Sequence, residues 1–403
     1  MYRSNTDKGT HCHICTGCGR CPGVGAGMHI VSDNMLSARW EQVPFCDFGK
    51  RLVTVDIGTT TVAMQLYGTD GSVVDYFLTV NPQVQYGADV LSRILAAEDS
   101  IKAAHMQRLI REVLEQGLHR FKGQLKEEEQ LYMVLAANTT MVYLLMGYDT
   151  TELGRAPFAA SHLRELCIEV DGVPCFVFPG LSAFVGGDIV AGMYACEMAE
   201  RKELTLFIDL GTNGEMVLGN REKRIACSTA AGPAFEGGAG RGIWGADMIS
   251  LLARLLKEGI VDETGLLADE YFESGVLIGD VCMTQQAIRA IQLAKSAIAA
   301  GIHILVREYG TSLQAIDRVV LAGGFGYYLK PEAAAAIGLL PKQLVSRTVA
   351  GGNTALAGAR RLGGERKEHS FPDRELLETK VMNIAEVQDF ETLYLQHINL
   401  IPT

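Results

Sequence analysis

Two short segments of this 403-residue chain place a carboxylate, a glycine and hydroxyls within a few residues of one another. VDIGTTT supplies Asp56, Gly58, Thr59, Thr60 and Thr61, and IDLGTNGE supplies Asp209, Gly211, Thr212, Asn213 and Glu215. Glycine lets a turn close tightly, threonine hydroxyls and successive N–H groups donate to phosphate oxygens, and the aspartate can hold Mg2+ or its waters. Alone, an Asp-x-Gly turn is ordinary hairpin chemistry. Here it recurs, from Asp56 to Asp209, at an offset of 153 residues. Farther along, LAGGFG, with Gly323, Gly324 and Phe325, ends an apolar run on bare backbone, which suits a flat ring. The three in order read as two phosphate clamps and a ring platform.

Other short polar residues follow glycine or alanine in apolar stretches: Asp89 in YGAD, Asn138 in ANTT and Asp188 in GGDI. The pattern fits groups aimed into a cleft, with a helix cap or turn as the plain alternative. Glu215, beside the second phosphate turn, is placed to position a water. In AAGPAFEGG, which contains Gly232, Glu236 reads equally as a helix-end residue or a nucleotide contact.

Five of the ten cysteines fall in the first 46 residues, and four of them, Cys12, Cys15, Cys18 and Cys21, are spaced C-x2-C-x2-C-x2-C before Pro22. Clustered thiols ahead of a long apolar core indicate metal rather than a disulfide scaffold. Short spacers with Gly17 and Gly19 let the chain wrap a compact 4Fe–4S cluster, with either Cys21 or Cys46 as the fourth ligand. Four thiolates also suit tetrahedral zinc, which His11 and His13 could join. The isolated Cys167, Cys175, Cys196, Cys227 and Cys282 are expected to be small core residues.

The elements that must position these groups show in the patterning. Apolar β-runs surround each Gly/Thr turn, and helical spacing appears over 88–97, 102–122, 245–257 and 284–308, so strands alternate with helices in an α/β fold of two similar halves. RVVLA reads as a strand, VAGGNTALAGARRL as a Gly-rich turn opening a helix, and the tail as a surface-docking helix. The expected division is a Cys-rich module over 1–50, two lobes over 51–203 and 204–365, and a tail over 366–403. With 36 basic against 47 acidic residues and a net charge of −11, the balance argues against a sequence-independent nucleic-acid binder. No stretch carries ~20 unbroken apolar residues, and the first 30 are polar where a signal peptide would be apolar, so a cytoplasmic protein is expected.

VDIGTTT, IDLGTNGE, VLAGGFG and AGGNTALAGA resemble the phosphate-1, phosphate-2, adenosine and second connecting motifs of the acetate and sugar kinase/Hsc70/actin (ASKHA) superfamily. NPQVQYGADVLSRI, AANTTMVYLLMG, FPGLSAFVGGDIVAG and AAGPAFEGG are similar to the ATP-dependent reductive activators of corrinoid proteins, over about 50–403. The resemblance implies duplicated actin-like (ribonuclease H-like) domains closing on Mg-ATP. Asp56, Thr59, Thr60, Asp209, Thr212 and Asn213 would lie around phosphates and metal, with Gly323, Gly324 and Phe325 by the adenosine. It also implies a homodimer, an upstream electron donor, and ATP-driven transfer of an electron to a Co(II) corrinoid protein. Long members of that family carry a ferredoxin domain with C-x4-C-x2-C spacing, from which this chain's cysteine run departs. An activator of a non-corrinoid low-potential enzyme, a small-molecule kinase with a structural zinc arm, and a nucleotide-gated binding module are the alternatives.

Overall fold

Alternation along the apolar runs decides which side chains reach which layer. In strand β1 (Lys50–Ile57), Val53, Val55 and Ile57 enter one core while Leu52 enters another, so Thr54 and Asp56 share the second face. This computed structural model describes residues 50–211, 213–230, 245–278, 281–365 and 371–403. β1 pairs antiparallel with β2 (Thr61–Tyr67), and β2 with β3 (Val73–Val80). On the other side β4 (Gln130–Ala137) runs parallel to β1, then β5 (Leu166–Val170) and β6 (Val173–Val177) complete the order β3-β2-β1-β4-β6-β5.

The second sheet repeats this plan. β7 (Thr205–Leu210), β8 (Gly214–Gly219) and β9 (Arg224–Thr229) form the antiparallel meander. A separate ribbon of β10 (Val276–Ile278) and β11 (Val281–Met283) intervenes in sequence. β12 (Arg318–Ala322) and β13 (Thr348–Gly352) then add in parallel beside β7, and β14 (Lys380–Met382) extends the far edge beside β9. Two features differ from the expectation. VAGG is the edge strand β13 rather than a turn, because its backbone completes the ladder to β12. The tail supplies β14 as well as a helix.

Helices α1 (Val90–Ala97), α2 (Ser100–Lys122), α3 (Thr139–Met146) and α4 (Thr151–Gly154) belong to the first half, α2 and α3 covering the outer face of its sheet. α5 (Gly187–Ala195) ends that half. α6 (Gly245–Lys257) and α7 (Gln285–Tyr309) cover the outer face of the second sheet with their Ile and Leu stripes. Among the described residues α7 alone is long and apolar enough to cross a bilayer, and that apolar surface is occupied by the sheet. α8 (Gly323–Tyr328), α9 (Pro331–Ala336), α10 (Thr354–Glu365) and α11 (Phe390–Gln396) follow.

The middle layer is an exchange. α10, from the second half, packs on β1 and β4 of the first sheet, while α5, from the first half, shares a core with Phe207, Val217 and Val320 of the second. The two helices cross through small residues: Ala195 and Ala357 bury each other, and a Cβ on Gly358 would overlap the Ala191 carbonyl oxygen. One flank of the crossing is clamped by Arg361, which donates to Tyr194 O at 2.7 Å and Glu365 at 3.0 Å and pairs with Glu200. The result is five layers, helices–sheet–helix pair–sheet–helices, with a core on each side of each sheet.

Forcing a methyl group into that crossing requires the helix axes to separate, and overpacking of this kind destabilises by about 3 kcal/mol. Gly358→Ala is expected to lower Tm by roughly 6–12 °C in a thermal melt, given ~2–4 °C per kcal/mol for a unit of this size. Gly123→Ala, where the backbone is right-handed helical and the nearest atom lies 3.4 Å away, is expected to change Tm by less than about 2 °C.

Candidate functional site

Both Asp-x-Gly segments cross from one antiparallel strand to the next. Gly58 N donates to Thr61 O at 2.9 Å and Gly211 N to Asn213 O at 3.0 Å, closing two tight turns. Because Asp56 and Asp209 sit at inward-facing positions of β1 and β7, the pleat aims both carboxyls at the layer between the sheets. The exchanged helices then bring further groups to the same place. Asn353 caps α10, accepting from Leu356 N at 2.9 Å, and donates from Nδ2 to Asp56 Oδ2 at 2.8 Å. Asn138 caps α3 through Met141 N and donates to Thr59 Oγ1 at 3.2 Å. Gly186, which caps α5, has no room for a Cβ: one would lie 2.5 Å from Asn138 Cα. That approach sets Asp188, in the first turn of α5, beside the others. The N-termini of α3, α5 and α10 therefore converge, with their positive dipole ends towards the carboxyls.

The carboxyls pay heavily in solvation for this arrangement. Asp56, Asp188, Asp209 and Glu215 are half-buried, lining a cleft yet enclosed by protein. Loss of water raises Asp56 to about 7, despite the Asn353 hydrogen bond that lowers it, and the Asp188 charge adds to the rise. Desolvation takes Asp188 to about 6, against its backbone hydrogen bonds. Asp209 rises to about 8 through desolvation and the charges of Asp188 and Asp56. Glu215 is pushed well up by desolvation and by Asp188 and Asp209. Asp188 is the shared neighbour: its charge is felt by the other three. Such a cluster calls for positive charge. Among the described residues no three acidic, histidine or cysteine side chains are close enough to hold a metal ion directly, so the arrangement suits a cation that brings most of its own ligands.

Two family models match the chain: the RACo middle region over residues 52–201, and the C-terminal domain of RACo, the ASKHA domain, over 203–240 and 238–403. The chain belongs to the RACo family. The corrinoid activation enzyme RamQ of Eubacterium limosum is 31% identical to it over 360 residues, covering 72% of this chain and 60% of the relative. The [Co(II) methylated amine-specific corrinoid protein] reductase of Methanosarcina barkeri is 25% identical over 237 residues, covering 46% of this chain and 43% of the relative. The chain thus spans 60% and 43% of the lengths of these two curated relatives. A solved reductive activator for corrinoid,iron-sulfur protein superposes with a TM-score of 0.76 at 28% identity, covering 87% of this chain and 66% of that one. The duplicated sheets and exchanged helices are those of an ASKHA fold, as the motifs led us to expect.

In this RACo-family chain the structure brings together Asp56, Asp188, Asp209 and Glu215, joins Asn138 to Thr59, and puts Gly58, Thr59, Thr60, Gly211 and Asn213 in the two turns, with Thr61 opening β2. Gly323, Gly324 and Phe325 fall in α8; at Gly323, with φ +81°, a Cβ would lie 2.7 Å from Asp209 Oδ1. Thr212, Gly232, Glu236 and Cys12, Cys15, Cys18, Cys21 and Cys46 lie outside the described residues. Asp89 takes the plainer role: its carboxylate caps α1 through Ser92 N at 2.8 Å. Cys175, Cys196 and Cys227 are buried as expected, but Cys167 on the edge strand β5 and Cys282 on the small ribbon are exposed, because neither position faces a core. Reading the sequence missed Asn353, Asn81 and Arg93. Asn353 carried a signal, an Asn ahead of a Thr-Ala-Leu helix start. Arg93 carried none, since an arginine on a helix ordinarily reads as a solvated charge.

Raised carboxyls reverse the usual acid-stability rule. The folded chain retains protons that the unfolded chain, titrating near pH 4, gives up, so ligand-free stability falls as pH rises from about 4 through about 8. Thermal melts without ligand are expected to show Tm declining between pH 5 and pH 8.5, and Asp209→Asn to flatten that decline and raise Tm at pH 8 by roughly 2–4 °C. An equally steep decline in the variant would show that Asp209 does not carry the retained proton.

Proposed function

We propose that this chain is an ATP-dependent reductive activator, passing a low-potential electron to the Co(II) corrinoid of a partner protein. The observation that carries the reading is the pair of Asp-x-Gly turns brought into one cleft with four mutually repelling carboxyls, in a chain of the RACo family. The names of its relatives supply the acceptor class.

Mg-ATP fits what the cleft offers: close backbone approach at Gly58 and Gly211, hydroxyls at Thr59, Thr60 and Thr61, and a negative cluster in need of a cation. In this reading Asp56, Asp188 and Asp209 would hold the waters of a Mg2+ ion, which would supply the positive charge that the acidic cluster calls for. Gly232, Glu236, Thr212 and Asn213 take further nucleotide contacts, and Gly323, Gly324 and Phe325 lie against the adenosine. Glu215, whose proton affinity burial and the charges of Asp188 and Asp209 raise well above the usual carboxylate range, orients and deprotonates the attacking water. An iron–sulfur cluster, 4Fe–4S by spacing, would supply the one-electron chemistry, with Cys12, Cys15, Cys18 and either Cys21 or Cys46 as its ligands. Moving one electron uphill by ~100 mV costs ~2.3 kcal/mol, so a gap of a few hundred millivolts requires several kcal/mol of differential binding between lobe positions. The proposed partners are a corrinoid protein, an upstream donor and a second copy of the chain, in the cytoplasm.

Purified without oxygen, the protein is expected to be brown, with about four irons per chain and an EPR signal on reduction. Its ATPase is expected to rise on addition of a Co(II) corrinoid protein, and Asp56→Asn to lower that ATPase by about 100-fold or more, the scale of removing one charged group from a catalytic site. A colourless protein holding one tight zinc, or a phosphorylated small molecule formed without any electron donor, would overturn the redox role.

A further inference from the structure

The turn between β1 and β2 is held from outside by donors that do not belong to the hairpin. Asn81 Nδ2 donates to Gly58 O at 2.9 Å, Asn81 N to Thr60 O at 2.8 Å, and Arg93 Nη2 to Thr59 O at 2.6 Å. A trans peptide directs its C=O and its N–H to opposite sides. Drawing the Gly58 and Thr59 carbonyls outward therefore turns the Thr59 and Thr60 N–H groups the other way, towards the inter-lobe face that carries Asp56. Successive N–H groups turned to one side make a concavity for an anion.

Arg93 is the charged member of this set and is fully buried. Its Nε donates to Gly87 O at 3.0 Å and its Nη1 lies 3.6 Å from Met141 Sδ. One planar guanidinium thus ties together the turn, the loop ahead of α1, and α3, whose cap Asn138 donates to the Thr59 hydroxyl oxygen. A residue that only filled space here would be apolar, because burying a guanidinium is unfavourable unless its donors are matched. We propose that Arg93 is a positioning residue for the polyphosphate: by fixing the plane of the Thr59–Thr60 peptide it keeps the turn preformed for an anionic phosphate chain. The identity of that ligand rests on the ATP reading above; the fixing of the peptide plane does not.

Lysine keeps the charge at 93 but gathers its donors on one atom, so it does not reproduce the fixed planar fork by which Nε reaches Gly87 O and Nη2 reaches Thr59 O. The test compares hydrogen–deuterium exchange of ligand-free wild type and Arg93→Lys over residues 55–66, with 205–219 as internal reference, and then calorimetric affinities for Mg-ATP and for adenosine. Faster exchange over 55–66 alone is expected, with Mg-ATP weakened about tenfold, the scale of one charge-assisted hydrogen bond, and adenosine within about twofold. Unchanged exchange over 55–66, or equal weakening of both ligands, would overturn the proposal. A wild type that binds no Mg-ATP would sink the nucleotide reading, while the exchange comparison still decides the role of Arg93. If Arg93→Lys does not fold, Arg93→Gln, which retains a planar two-hydrogen donor, is read by the same measurements.

Discussion

The crossing of α5 and α10 is the constraint on which the rest of the molecule depends. Each helix is made by one half of the chain and buried against the sheet of the other, and the two touch backbone to backbone where Gly358 meets Ala191. Neither sheet can bury its inner face without the other half. The functional groups hang from the same pair. The cap of α10 holds Asp56 through Asn353, and the first turn of α5 presents Asp188 to Asp209 and Glu215. Because each helix moves with the sheet it packs on, a rotation of one lobe against the other shifts Asp188 and Asp209 relative to Asp56. Lobe position and cleft electrostatics are thus coupled by construction, through contacts that have few intermediate arrangements in a close-packed layer.

That coupling has a thermodynamic sense. With nothing bound, the acidic cluster is relieved by holding protons, which is why desolvation dominates the rise at all four carboxyls. A cation in the proposed site would replace those protons and relieve the same repulsion, and would then favour whichever lobe position brings the carboxyls closest to it. Binding energy is converted into a preference between positions, and only the difference in affinity for the two positions can do mechanical or redox work. The clamp at Arg361, joining Tyr194 of α5 to Glu365 of α10, keeps the crossing from slipping while that preference is expressed.

How far all this could be read from the residues follows from what each pattern encodes. The apolar β-runs around DIG and DLG located both strand–turn–strand segments, and period-3.6 stripes located α6 and α7, because both signals are local to one element. The exchange of α5 and α10 was not legible: a stripe of small residues marks a buried face without saying which sheet covers it. Gly-rich VAGG looked like a turn because its glycines are poor strand formers, and only the ladder to β12 makes them a strand. Lys380–Met382 is too short to register before β9 offers it an edge. Arg93 escaped notice for a related reason. Its value lies in carbonyls 34 and 6 residues away, and hydrogen bonds to backbone leave no trace in residue type.

The two halves share a plan, but their aspartates have diverged chemically. Asp56 receives a side-chain donor from Asn353, which stabilises its charged form; among the described residues no side-chain donor reaches Asp209, which instead lies beside Gly323 and feels the charges of Asp188 and Asp56. As pH rises, ionisation therefore favours Asp56 before Asp209. A symmetric pair would leave an incoming cation no preferred side. Here the hydrogen bond from Asn353 favours charge on Asp56, so a cation entering the cleft would meet a more readily ionised carboxyl on the first sheet than at Asp209.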